Sequence, residues 1–400
     1  MTAPITYLEV GGTAVDLADV DYNVTVSHGR SDVFQASNPS NCQVTIRGAV
    51  TVNVTDYVRI AAYGTCRFQG EVTDARVEFL NTSPPTALTT FTAIGNLATL
   101  GTRLIEVDFP KETVRERVEA ILTEADVDYL NGATADLELY STADDIPVPA
   151  MNLLDDLAAW SGGTFFDTMN GRIVFESYGV RGQTANPGTW NAQTLTWEAE
   201  ERTWDSFPTS LAALELPADA VIFSPTWSKN ITGIVNRVSI THGNTEHVDT
   251  VSDADSITAY GLRSAELTTG LDTHDDAIAR ANSILLAQAR PLWNLGQVSV
   301  LVDQLDTPTR DLLMVAQSGT TVLITGLPAQ GPLTSFLGIT EGWTETYTPG
   351  QHTLTLSLSD PRYSYQTVTW ENVPPALTWA NVNPELAWYN AVTADDLQAA

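Results

Sequence analysis

Positive charge is scarce in this chain of 400 residues. Lys and Arg number 19 against 49 Asp and Glu, a formal net charge of −30, and Lys111 and Lys229 are the only lysines. A chain this acidic repels phosphate backbones and anionic membranes, which argues against a direct grip on nucleic acid. Long apolar runs are missing too: no stretch of roughly 18 apolar residues exists, so no membrane span is expected. The first ten residues, MTAPITYLEV, carry no basic region and no apolar core of signal-peptide length. There are two cysteines, Cys42 and Cys66, both on strand-like stretches. Buried free thiols are the plainer reading and a disulfide between adjacent strands the other; their spacing demands neither.

Chemistry-bearing motifs are equally thin. No pair among the five histidines has HExxH or HxH spacing, and Cys-x-x-Cys is absent. His242 and His247 flank a polar loop and read as ordinary polar residues rather than metal ligands. No GxSxG, P-loop or GxGxxG occurs. Neither cysteine sits at a helix start, where a nucleophilic thiolate would be stabilised. Carboxylates are so numerous that a glycosidase-like acid/base pair cannot be singled out. No catalytic residue, metal or cofactor is expected, and the chain reads as a non-enzyme.

What the sequence does contain is strand patterning. Residues Phe336 to Arg362 form one hairpin around Pro349-Gly350: Pro presets φ at the first central turn position and Gly tolerates positive φ at the second. Counting outward sets Trp343, Glu345 and Tyr347 opposite Leu356, Leu354 and His352, with Thr344, Thr346, Thr353 and Thr355 on the other face. A type II turn splays a hairpin, so a bulge is one way for the strands to adjust. Residues 1 to about 98 read as β almost throughout. Tyr22, Val24 and Val26 alternate with polar residues, as do Val50, Val52 and Val54. Turn signals fall at His28-Gly29, Asn38-Pro39, Tyr63-Gly64 and Ser83-Pro84-Pro85.

Helical spacing enters near Asp108-Phe109-Pro110, where Pro suits a first turn, and continues through Val114, Val118, Ile121 and Ala125. A second helix is predicted near Ala150 to Trp160, with Leu153, Leu157 and Trp160 on one face and Gly162-Gly163 ending it. An Asn170-Gly171 hairpin follows, placing Phe166 opposite Phe175. A third helix is predicted from about Thr273 to Ala289, its N-terminus carrying Asp272, Asp275 and Asp276. Strands resume at Gln297 to Leu301 and Thr320 to Ile324. Near the C-terminus, Trp370, Val373 and Leu377 are echoed nine residues later by Trp379, Val382 and Leu386, and a third copy starts at Trp388. Prolines argue against a continuous strand there, so the tail reads as short extended hooks. Each offers a Trp and one or two aliphatics, either to its own domain or to a partner groove.

Three phrases in order resemble the tail hub family of long-tailed bacteriophages that infect actinobacteria. They are Gly29 to Gln35 with Cys42 to Arg47, Val58 to Ile60 and Phe68 to Asp74; then Asp275 to Ala287; then Leu323 to Pro328 with Glu341 to Trp343 and Thr353 to Ser359. The resemblance covers most of residues 20 to 362. It implies a mainly β chain with α+β insertions: two antiparallel β-barrel-like domains plus smaller helix–hairpin domains. The units would be residues 1–100, an N-terminal barrel; 101–180, a helix–hairpin domain; and 181–240 with 295–365, a discontinuous second barrel. A helical insertion at 241–294 and the Trp-repeat tail at 366–400 complete the set.

The implied role is a structural tail-tip or baseplate hub: a homotrimer joining the sixfold tail tube to the tip and letting genomic DNA pass without specific binding. The implied partners are other tail proteins, namely the distal tail ring, the tape-measure protein and tip or receptor-binding proteins. The implied location is the tail tip of the virion, assembled in host cytoplasm. Unlike larger hub proteins, this chain shows no long C-terminal extension that would carry a fused lytic or receptor-binding module. The alternatives are a carbohydrate-binding virion protein that uses its tryptophans as sugar platforms, and, behind it, an acidic glycosidase.

Overall fold

The computed structural model describes residues 4–17, 20–82, 85–130, 132, 137–142, 146–178, 214–220, 226–244 and 246–364. The candidate docking residues Trp370, Val373, Leu377, Trp379, Val382, Leu386 and Trp388 lie outside the described residues, as do Trp190, Trp197 and Trp204.

The chain is mainly β, with a few helices. Its N-terminal strands are β1 (Ile5–Val10), β2 (Tyr22–Gly29), β3 (Asn41–Ile46), β4 (Tyr57–Ala62), β5 (Thr65–Leu80) and β6 (Thr86–Ile94). Helices α1 (Val114–Glu124) and α2 (Ala150–Ser161) precede the hairpin β7 (Thr164–Asp167) and β8 (Ile173–Glu176). Then come β9 (Leu214–Pro217), β10 (Arg237–His242), β11 (His247–Ser252), α3 (Ala254–Tyr260), β12 (Ser264–Thr268) and α4 (His274–Gln288). The C-terminal strands are β13 (Gln297–Leu301), β14 (Thr321–Thr325), β15 (Phe336–Thr348) and β16 (Gln351–Ser359), with α5 (Thr307–Val315) after β13.

One 12-stranded sheet dominates. Its main path runs β9-β14-β15-β2-β3-β6-β5-β4-β1 and ends on the two-residue strand Thr13–Ala14, and β16 joins β15 to β13. No strand pairing among the described residues closes this sheet into a barrel. The joint is β15. Its first residues pair with β14, while Gly342 to Tyr347 pair with β2 and Ile339 to Thr348 follow β16. Strands from the two ends of the chain therefore share one sheet, a pairing that no local pattern announces.

Apolar side chains gather in three clusters. One lies under the N-terminal strands and takes Tyr347 from β15; a second lies under the C-terminal strands and takes Trp343. The third packs α1, α2 and α4 against β7, β8 and β10.

The hairpin at Pro349-Gly350 has the expected register, with Trp343, Glu345 and Tyr347 opposite Leu356, Leu354 and His352. Its bulge falls well away from the turn, at Glu341. Tyr63 and Gly64 both take positive φ, 50° and 84°, as a two-residue type I′ hairpin requires. The α4 bounds also agree, with Thr273 as N-cap and Ala289 as C-cap.

Other expectations shift. The Asn170-Gly171 hairpin pairs Phe165, not Phe166, with Phe175. Gly171 takes φ 73° and its N–H donates to the Thr168 carbonyl, so the loop holds three residues rather than two and the register moves by one. Helix α1 starts later than Pro110, because Thr113 and Glu116 form a capping box. On α2 the buried face is Ala150, Leu154, Leu157 and Ser161, with Leu153 and Trp160 at its margin. Val50 to Val54 alternate without forming a strand. His28-Gly29 is no turn: it ends β2 against Gly342.

Candidate functional site: the polar seam beneath β15

Two bulges turn charged residues inward. In the β4–β5 pair, Ile60 faces Phe68 and Ala61 faces Cys66, which leaves Arg67 as the extra residue; in β15 the extra residue is Glu341. A bulge breaks the two-residue alternation and re-aims a side chain. Arg67 is fully buried and Glu341 is 1 % exposed.

Arg67 meets Glu345, which is also fully buried. Arg67 Nε donates to both Glu345 carboxylate oxygens, at 3.0 and 3.1 Å, and Nη2 donates to Oε1. The other guanidinium nitrogen, Nη1, donates to the Met314 carbonyl at the end of α5. Trp343 Nε1 donates to Glu345 Oε1 at 2.7 Å and the Tyr347 hydroxyl donates to Oε2. His352 Nε2 lies 3.3 Å from Oε2, its ring stacked 4.1 Å from Tyr347. The carboxylate's roughly four lone-pair sites are thus occupied. Burial opposes ionisation of Glu345, yet the Arg67 charge and the hydrogen bonds together outweigh it and hold this carboxyl well below the usual range. A second, part-buried pair lies in the same strand: Arg30 Nε donates to Glu341 Oε2 at 2.8 Å, and the Ser359 hydroxyl donates to Oε1 at 2.5 Å.

The network continues toward the helical part. His28 stacks on Trp343 at 4.5 Å, with its Nε2 2.7 Å from the Arg67 carbonyl and its Nδ1 2.5 Å from Ser40 Oγ. Ser40 Oγ lies 2.5 Å from Asp167 Oδ1, and the Ser40 N–H donates to the same carboxylate at 3.1 Å. Burial lowers His28 to about 4. Burial also raises Asp167, to about 6, against the hydrogen bonds from Ser40 that lower it. A carbonyl only accepts, so the neutral imidazole carries its proton on Nε2 and leaves Nδ1 as an acceptor. The single Ser40 hydroxyl proton then serves two short contacts. Both are satisfied when Asp167 is protonated: its O–H donates to Ser40 Oγ, whose own proton turns to Nδ1. When Asp167 ionises, the hydroxyl donates to it instead.

Ser, His and Asp here do not form a hydrolytic triad. The serine, not the histidine, is in the middle, and Nε2 is engaged by a backbone carbonyl. All three are at most 4 % exposed, which leaves no room for a substrate. The arrangement does mechanical work instead, tying β2, β5, β7, β15, β16 and the end of α5 together through polar side chains.

Close backbone approach completes the seam. Gly29 has φ 67°, and a Cβ there would sit 2.4 Å from the Glu341 carbonyl; one on Gly342 would sit 2.4 Å from the His28 carbonyl. Outside the seam, β5 and β6 run past their neighbours as a short two-stranded arm pairing Glu78 to Leu80 with Thr86 to Leu88. Phe79 on this arm is 77 % exposed, and Val77 at its base is 51 % exposed.

Both cysteines are free thiols; Cys42 is buried, and Cys66 donates to the Met169 carbonyl. Burial pushes the Cys42 thiol far up. His242, taken from the sequence as flanking a polar loop, is 5 % exposed and meets Asp249 and His274. From the sequence, Arg67 has no assigned place and Glu341 enters only as the start of the Glu341 to Trp343 phrase. Their signal, a charge inside an otherwise apolar strand pattern, reads as surface until the bulge is known.

No protein-family model matches the chain, and no curated protein matches it. Solved structures do resemble it. The 43 kDa tail protein of prophage MuSo2 from Shewanella oneidensis superposes with a TM-score of 0.60 at 10% identity, over 90% of this chain and 99% of that one. The tail protein from Neisseria meningitidis MC58 gives 0.63 at 10% identity, over 91% and 98%. At that identity the likeness establishes the fold alone: over about nine-tenths of its length, this chain has the fold of these two tail proteins.

Proposed function

We propose that this chain is a structural component of a bacteriophage tail, the hub at the tail tip, and not an enzyme. One observation carries the reading: the likeness to two tail proteins extends over at least 90% of this chain and 98% of theirs, so it is not one shared module. The polar seam supports it, being buried and closed to substrate. The proposed assembly is a homotrimer at the virion tail tip, in which each copy contributes two β units, residues 1–100 and 181–240 with 295–365, to a sixfold-like ring. The helix–hairpin region 101–180 and the insertion 241–294 brace that ring. The tail 366–400 docks on a neighbour or on another tail protein through Trp370, Trp379 and Trp388. Genomic DNA passes the ring unbound, because three copies carry about −90 charges and a lumen sharing that sign repels a phosphate backbone.

Sedimentation of the purified full-length chain at high concentration, together with electron microscopy of tail tips, tests this. A trimer, seated as a ring at the distal end of the tube, is the expected result. Residues 366–400 should be dispensable for folding and required for joining the tail. A chain that stays monomeric and is absent from tail tips would sink the hub reading.

A further inference from the structure

Five histidines occur in 400 residues, and three of them converge beside the first turn of α4. His242 is the last residue of β10, Asp249 lies in β11, and His274 is the first residue of α4. His242 Nε2 and His274 Nδ1 each lie 2.8 Å from the same oxygen, Asp249 Oδ2. The three ligand atoms are all within 4.8 Å of one another. His247 is paired with His242 across the β10–β11 ladder, and its ring centroid is 5.9 Å away.

The supports are stiff where they need to be. His242 is held by the strand ladder and is 5 % exposed. The start of α4 is fixed by the Asp276 N–H donating to Thr273 Oγ1. Asp249 and His274 are progressively more open, which gives an ion a way in. Lys111, the nearby cation, is already matched by Asp272 at 2.6 Å and Glu138 at 2.9 Å.

Two imidazoles and a carboxylate aimed at one point are a donor set for zinc, which takes His nitrogen and carboxylate oxygen in tetrahedral geometry. Here both imidazole N–H groups point at one carboxylate oxygen. A divalent cation replaces those two protons and satisfies the nitrogens and the oxygen together. We propose that His242, Asp249 and His274 bind a zinc ion, with a water as the fourth donor, and that the ion clasps the start of α4 to the β10–β11 hairpin. Sequence spacing could not reveal this, because the ligands come from three elements.

The test uses full-length, tag-free protein stripped with a chelator and titrated with zinc chloride by calorimetry and thermal melting. One equivalent should bind saturably in the micromolar range and raise the Tm, as any ligand selective for the native state does. Mg²⁺, which prefers octahedral oxygen sites, should do neither. His274→Ala, at an exposed position, and Asp249→Asn should each weaken zinc binding by about tenfold or more while circular dichroism stays native. Absence of saturable zinc uptake, or uptake unchanged in both variants, overturns the proposal.

Discussion

Arg67 and Glu345 pose a question of cost. Two charges lose their hydration on burial, and their mutual attraction with added hydrogen bonds roughly offsets that loss. Removing one partner is the damaging change. Glu345→Gln, which strands the Arg67 charge, should destabilise the fold by about 3–5 kcal/mol in urea unfolding. The double variant Arg67→Met with Glu345→Leu should regain most of that; a double variant as unstable as the single one would show that the pair is not what the site depends on. Asp167 and His28 act oppositely with pH. Asp167, raised to about 6, contributes stability that is full below about pH 4 and lost as pH rises through 6. His28, lowered to about 4, contributes stability that is full above about 6.5 and lost as pH falls through 4. Between pH 4 and 6 the two slopes oppose each other. Asp167→Asn should leave the His28 slope uncovered, so that stability gains about 3 kcal/mol more than wild type from pH 4 to 6.5. Parallel pH profiles for the two proteins would refute this. None of these partners could be matched from sequence. Arg67 and Glu345 are 278 positions apart, and what joins them is a bulge, which adds one residue without changing composition.

At the level of elements, local chemistry was legible where it decides structure locally. Pro349-Gly350 fixed a hairpin register, and Thr273 with its acidic neighbours fixed the start of α4. It misled where one residue of loop length matters, as at Gly171, and where alternation lacked a partner strand, as at Val50 to Val54. The β5–β6 arm extends this point. Its outer residues contribute little to the chain's own cores, so Phe79→Ser should shift Tm by less than about 2 °C, in line with an exposed substitution. If the arm touches a neighbouring copy, the same change should lower the trimer fraction in sedimentation. A large Tm loss would instead mean that the arm folds back on its own subunit.

For the whole molecule, charge is the dominant fact. A net −30 makes copies repel each other, and salt screens that repulsion over about 10 Å at 0.1 M. Formation of the proposed trimer should therefore strengthen as sodium chloride rises from low to moderate concentration, the reverse of a complex held by opposite charges. A trimer that dissociates as salt is added would point to pairing between acidic and basic patches instead. The composition of the sequence made this legible at once, whereas the joining of its two ends in one sheet was not legible at all.

That joining has a consequence for synthesis. The strand that covers the open side of β2 is β15, so Val24 waits for Tyr347, more than 300 residues later. At about 5–20 residues per second, the edge of β2 stays bare on the ribosome for roughly 15 s to a minute. During that interval the nascent chain presents an unpaired hydrogen-bonding edge of the kind that captures stray strands. The paired glycines at 29 and 342, which let the two backbones close without a side chain between them, make the late docking specific to one register. Nascent chains of this protein are thus the form most exposed to mispairing, and a holdase acting before residue 347 emerges would meet its need.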